Sequence, residues 1–180
     1  MESRILLTSV TVNNVTDVVN GNTSSIAALL GDDGGDGISL REAIEATNAE
    51  AGADEIQFDA NLAGQTITLA GTQLTVSDSL QIVSSDRSIT IDAAGSSRVL
   101  GVTGSGDLTL TQLTLQNGSI SGNGGGIEFS SSGTLTLQQS HVLSNRATGD
   151  GGGVFVGNGT LLITDSVISG NTAGGFATSG

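Results

Sequence analysis

The chain has 180 residues with 28 glycines, 18 acidic residues and 5 arginines, no cysteine, proline, lysine, tryptophan or tyrosine, and a net charge of −13. Without cysteine there is no thiol redox chemistry, thiolate metal site or disulfide framework, and without tryptophan or tyrosine the stacking surfaces used on single-stranded nucleic acid are missing. The negative charge repels phosphate backbones and anionic lipid, which argues against nucleic-acid and membrane partners.

From the N-terminus, residues 1–20 lack the basic head and long apolar run of an export signal, and no stretch approaches the length of a membrane span. Residues 5–12 (ILLTSVTV) read as a strand, and 17–37 as a polar loop rich in Gly and Asp. Ser39–Ala49 is the chain's one good helix. Ser39 and Glu42 have the spacing of a capping box, and Leu40, Ala43 and Ile44 begin an apolar face directly after the cap. Asp54–Phe58, Thr66–Leu69 and Gln73–Val76 then read as short strands.

The rest of the chain repeats. GDLTLTQLTL at 106–115, GTLTLQQSHV at 133–142 and GTLLITDSVI at 159–168 share one pattern, and SLQIV opens a weaker copy, so that Leu80, Leu108, Leu135 and Leu161 recur at intervals of 28, 27 and 26 residues. Gly124-Gly125-Gly126-Ile127-Glu128-Phe129 recurs as Gly151-Gly152-Gly153-Val154-Phe155-Val156, and Gly174-Gly175-Phe176 starts it again. Apolar and polar residues alternate within each copy, which is the period of strands with one buried face and excludes helical repeats. Three short strands per copy, with corners of Gly, Asn and Ser, stack into an all-β right-handed parallel β-helix whose Leu, Ile and Val form internal columns. The expected organisation is an N-terminal cap and first coil over 1–78, with the helix at 39–49 hiding the open end, and coils of 26–28 residues over 79–180. The last coil has no comparable cover, so the expectation is a piece of a longer protein, with end-to-end self-association through that coil as a further expectation. Asn145 and Asn171 share a repeat position, which fits either an inward hydrogen-bonded stack or simple turn preference.

The run Asp36-Gly37-Ile38-Ser39-Leu40-Arg41-Glu42-Ala43-Ile44-Glu45-Ala46-Thr47-Asn48-Ala49, with Ala53–Phe58 and Gly64–Leu69 after it, resembles the CSLREA domain of bacterial extracellular β-helix proteins. Ile38 stands where that family has its Cys. The later copies, with Ser166-Val167-Ile168-Ser169-Gly170-Asn171-Thr172-Ala173, are similar to repeats of polymorphic outer-membrane proteins and other pectate-lyase-like β-helices. The resemblance implies a secreted or surface-attached bacterial protein serving as an adhesive or structural shaft, and it carries over no catalytic residue.

Sugar-acting enzymes on such a scaffold need acids and bases gathered across neighbouring coils. Asp92, Asp107, Asp165, Arg87, Arg98 and Arg146 each read as isolated, solvated charges in the repeat frame, and no catalytic residue is assigned. His141 aligns with Thr114 and Val167 on an outward position and reads as a surface residue. Gly31-Asp32-Asp33-Gly34-Gly35-Asp36-Gly37 is the best acidic run, but it lacks the ligand spacing of an EF-hand. It reads as a solvated loop, with weak Ca²⁺ binding the alternative, and no cofactor is assigned. The glycine triplets at 124 and 151 are not phosphate loops, since the chain has no Lys and strands follow them. The expected function is a non-catalytic extracellular or cell-surface module contacting a surface glycan or protein through rows such as Thr109 with Thr136. The alternative is a fragment of a carbohydrate-active enzyme, a polysaccharide lyase or glycoside hydrolase, whose site lies elsewhere in a longer chain. Ice binding is disfavoured by the changing register and by Leu162 and Val167 in the rows.

Overall fold

The computed structural model describes residues 8–85 and 89–174. Strand β1 (Thr8–Val12) precedes two helices, α1 (Ile26–Gly31) and α2 (Leu40–Asn48). Five coils follow. The first holds β2 (Asp54–Phe58), β3 (Thr66–Thr68) and β4 (Leu74–Val76); the second holds β5 (Leu80–Val83), β6 (Ile89–Asp92) and β7 (Leu100–Val102). The third has β8 (Leu108–Thr111), β9 (Leu113–Gln116), β10 (Ser119–Ile120) and β11 (Ile127–Phe129). In the fourth are β12 (Thr134–Gln138), β13 (His141–Leu143), β14 (Arg146–Ala147) and β15 (Val154–Val156), and in the fifth β16 (Thr160–Thr164) and β17 (Val167–Ser169).

Every strand pairing among the described residues is parallel. One wall runs β1-β2-β5-β8-β12-β16, a second β3-β6-β9-β13-β17 and a third β4-β7-β11-β15, with β10-β14 as a short fourth pair. The chain is therefore a parallel β-solenoid with helices before its repeats. The registers put Leu80, Leu108, Leu135 and Leu161 in one column, and Ile82, Leu110, Leu137 and Ile163 in the next. On the second wall the inward column is Ile67, Ile91, Leu115, Val142 and Ile168. Leu108, Leu110, Leu135 and Leu137 are buried, and each such side chain contributes about 2 kcal/mol through removal from water.

The variable repeat length is absorbed at corners and leaves the walls in register. Residues 84–88 separate β5 from β6, whereas Gln112 alone separates β8 from β9. That corner departs from the expected Gly, Asn and Ser: Gln112, Gln139 and Asp165 turn it with φ of 59°, 50° and 50°. The left-handed region costs such residues about 1 kcal/mol. Backbone bonds to the next coil hold the corner, Gln112 N–H to Gln138 O at 3.0 Å and Gln139 N–H to Thr164 O at 2.9 Å. The following corner, at Asn117, Ser144 and Gly170, does use the expected residue types.

The N-terminal elements cover the first coil much as the apolar face of 39–49 requires. Leu40, Ala43 and Ile44 are fully buried, and α2 packs against β1, β2 and β4. The loop expected over 17–37 instead contains α1. Ser25 caps it by accepting the Ala28 N–H at 3.0 Å, and Ile26 and Leu29 join the core. Six residues are too few to show helical periodicity, which is why composition alone suggested a loop. The strand expected over 5–12 is present from Thr8, and its earlier residues lie outside the described ones. At the opposite end, Ile163 and Ile168 hold inward register positions yet are 48% and 41% exposed, because none of the described residues stacks on the fifth coil.

Candidate functional site

Ser39, Leu40, Arg41, Glu42, Ala43 and Ile44 form the most information-rich stretch of the sequence, and the structure gives each polar member a binding role within the protein. Ser39 Oγ accepts the Glu42 N–H, and Glu42 Oε2 accepts the Ser39 N–H at 2.9 Å, closing the capping box. Glu42 Oε1 reaches outward to accept the N–H groups of Asn20 and Gly21, both at 2.8 Å. The carboxylate thus ties the start of α2 to the preceding loop. Burial alone would raise its pKa, but the bonds from Ser39, Asn20 and Gly21 outweigh that effect and hold it below the ordinary value. Arg41 forms a two-point bond with Asp17, Nε to Oδ1 at 2.8 Å and Nη2 to Oδ2 at 2.7 Å. Its remaining donors go to the carbonyls of Gln73 and Thr72, joining α2 to the first coil.

The charged candidates of the repeats are less solitary than the repeat frame suggested. Arg98 is buried, and its Nη2 lies 2.7 Å from Glu128 Oε2. It also donates to the carbonyls of Asn123 and Gly124, each at 2.8 Å, and to Gln73 Oε1. The expectation of a solvated charge is overturned for Arg98: a guanidinium can be buried where an acid and several carbonyls converge on its donors. The signal lay in Glu128, which is distant in sequence and adjacent only after coiling.

Asp92 is half-buried and accepts from Gln116 Nε2, Asn117 Nδ2 and the Ala94 N–H at 2.9, 2.9 and 2.7 Å. Burial opposes its ionisation, but these three bonds prevail and lower its pKa. Asp107 is exposed and still bonds across coils, its Oδ1 accepting the Thr134 N–H at 2.7 Å. Neither is the isolated charge expected. Asp165 is an exposed corner residue, and His141 is exposed on the outward row with Thr114 and Val167, as its alternation indicates. Arg146 is exposed in the row with Ser119 and Thr172. Arg87 lies outside the described residues.

In the 31–37 run, Asp33 Oδ1 accepts the Gly35 N–H, while Asp36 accepts from Asn14 Nδ2 at 3.1 Å and Asn20 Nδ2 at 3.0 Å. These carboxylates serve local turns and the loop. Among the described residues, no group of three or more His, Cys, Asp or Glu side chains is placed to hold a metal ion.

Sequence reasoning passed over Asp54. It occupies the column position of Leu80 one coil earlier and is 4% exposed. Burial, with the nearby charges of Glu50 and Asp78, raises its pKa despite bonds from Thr8. Its alignment with Leu80 was the available signal, obscured because the first coil has Asp at the position where the later coils have the Leu that announces the repeat.

Comparison with protein-family models, with curated proteins and with solved structures finds no match for this chain. The arrangement defines a parallel β-solenoid scaffold, and the likeness at 39–44 rests on the motif alone.

Proposed function

We propose that this chain is a non-catalytic structural and adhesive module, displayed outside the cell or on the surface of a bacterium as part of a larger protein, and that its walls contact glycans. The observation that carries the reading is the employment of charged side chains: Arg41 and Glu42 bond within the N-terminal cap, and Asp92, Arg98 and Asp107 bond from one coil to the next. What faces outward on the first wall is largely uncharged, with Gln81, Thr109 and Thr136 in one row and Thr111, Gln138 and Thr164 in the next. Hydroxyls and amides repeated at about 4.8 Å suit hydrogen bonding to a sugar chain. The extracellular placement rests on the likeness of residues 36–49 and of the repeats to bacterial surface proteins. The exposed edge of β16 and β17 is where a further layer of strands would pair, from a continued chain or from a second copy.

The test is incubation of the purified chain with a panel of immobilised polysaccharides, scoring both retention and release of new reducing or unsaturated sugar ends. Retention without release is expected. Release of sugar ends would establish an enzyme, and no retention on any polysaccharide would overturn glycan contact.

A further inference from the structure

The sequence holds four Asn-Gly pairs, beginning at Asn20, Asn117, Asn123 and Asn158. In such a pair the Gly backbone nitrogen is positioned to close a small ring on the Asn side-chain carbon, and no Cβ hinders its approach. The fold restrains three of the pairs at both reacting groups. Gly21 N–H donates to Glu42 Oε1 at 2.8 Å, and Asn20 Nδ2 to Asp36 Oδ1 at 3.0 Å. Gly118 N–H donates to Asn145 Oδ1 at 2.7 Å, and Asn117 Nδ2 to Asp92 Oδ2 at 2.9 Å. Gly124 N–H donates to Asp150 O at 2.9 Å, and Asn123 Oδ1 accepts the Asp150 N–H at 2.8 Å. Ring closure at any of these has to break both bonds, so it waits for a local opening of the fold.

Asn158-Gly159 is different. The pair lies in the exposed corner 157–159 between β15 and β16. That corner is anchored on either side, by Gly157 N–H to Phe129 O at 2.9 Å and by Thr160 N–H to Gly133 O at 3.0 Å. Between those anchors, and among the described residues, neither the Asn158 amide nor the Gly159 N–H has a hydrogen-bond partner. Gly159 has a φ of 96°, and a Cβ there would fall 2.4 Å from Gly133 O. The corner itself therefore demands the glycine that leaves the nitrogen open to reaction.

We infer that Asn158 is a site of spontaneous covalent modification, its side-chain amide deamidating through a cyclic imide with Gly159 and with water as co-reactant. The Gly159 nitrogen loses its proton to solvent and bonds Asn158 Cγ; the Cγ–Nδ2 bond breaks and ammonia leaves. Water then opens the imide at either carbonyl, giving aspartate where the new Cγ–N bond is cut and isoaspartate where the backbone C–N bond is cut, with no change of oxidation state. Either product adds a carboxylate to a chain whose net charge is already −13. Isoaspartate also adds a carbon to the backbone path between the two anchored ends of the corner.

The test is ageing of the folded chain at mildly alkaline pH in heavy-oxygen water, with all four asparagines followed by peptide mass spectrometry and isoaspartate scored separately. Asn158 is expected to react first, about tenfold faster or more than Asn20, Asn117 and Asn123, with heavy oxygen in its carboxylate and isoaspartate among the products. In guanidinium chloride the four rates should converge, because the protecting bonds are gone. Asn158→Gln should suppress modification at that position and leave the other three rates and the melting temperature unchanged. Equal rates in the folded chain, or an Asn158 that stays intact while the unfolded chain reacts, would overturn the inference; aspartate without isoaspartate would overturn the cyclic imide route.

Discussion

Asn171 Oδ1 accepts two hydrogen bonds from Asn145 in the coil before it, the backbone N–H at 2.9 Å and the side-chain Nδ2–H at 3.0 Å. Asn145 is 1% exposed and passes the pattern on, its Oδ1 accepting the Gly118 N–H at 2.7 Å and its Nδ2 donating to Leu115 O at 3.2 Å. The shared position is thus an inward, hydrogen-bonded stack. The stack ends at Gly118 because a Cβ there would fall 1.9 Å from Gly125 O. Asn145→Ala should destabilise the fold by about 1–3 kcal/mol, since buried backbone groups lose their partners. Urea unfolding of the variant beside the parent measures this, and an unchanged midpoint would show the stack to be dispensable.

A second test addresses the inward columns. Leu137 is 0% exposed between Leu110 and Ile163, so Leu137→Asp should abolish cooperative melting of the repeats by burying an unpaired charge. His141→Ala, four residues on and exposed, should change stability by less than about 0.5 kcal/mol. Thermal melts followed by circular dichroism compare the two, and a reversed ranking would mean that the faces are misassigned.

Acid should weaken both the cap and the coils through carboxylates of lowered pKa, Glu42 in the first and Asp92 in the second. Glu42 and Asp92 have lowered folded pKa values, so their stabilisation is full above the unfolded carboxylate value, about 4, and is lost as pH falls through the folded ones. Glu42→Gln should cost about 2 kcal/mol at neutral pH and flatten the loss of stability in acid, because an amide cannot accept at both ends. Stability measured from neutral pH down to about pH 3 distinguishes this from a pH-independent packing defect.

Asp54 behaves in the other direction. Its raised folded pKa means that ionisation penalises the fold as pH rises through the unfolded value, fully so above the folded one. Asp54→Asn should therefore be more stable than the parent at pH 7, with the difference vanishing toward about pH 3. A variant less stable at neutral pH would show that the ionised carboxylate is needed by Thr8.

Much of the repeat was legible because the chemistry that builds it is periodic. Leu80, Leu108, Leu135 and Leu161 fall in register because each inward position must be apolar, and the Ser39–Glu42 spacing gave the start of α2 because capping is local. The side-chain network was less legible. Arg98 meets Glu128 across coils, and Ser140 Oγ, buried at 0% exposure, donates to Leu110 O and accepts the Leu113 N–H. Those partners become neighbours only through stacking, and Ser140 looks like any other corner serine in the sequence.

The most direct measurement of the central claim is a crystal structure of the 180-residue chain. The expected result is parallel coils with Leu80, Leu108, Leu135 and Leu161 in one internal column, Asn145 on Asn171, and Thr109 and Thr136 facing out. A register shifted by one residue, with Thr109 and Thr136 inside, or antiparallel pairing of these strands, would contradict it.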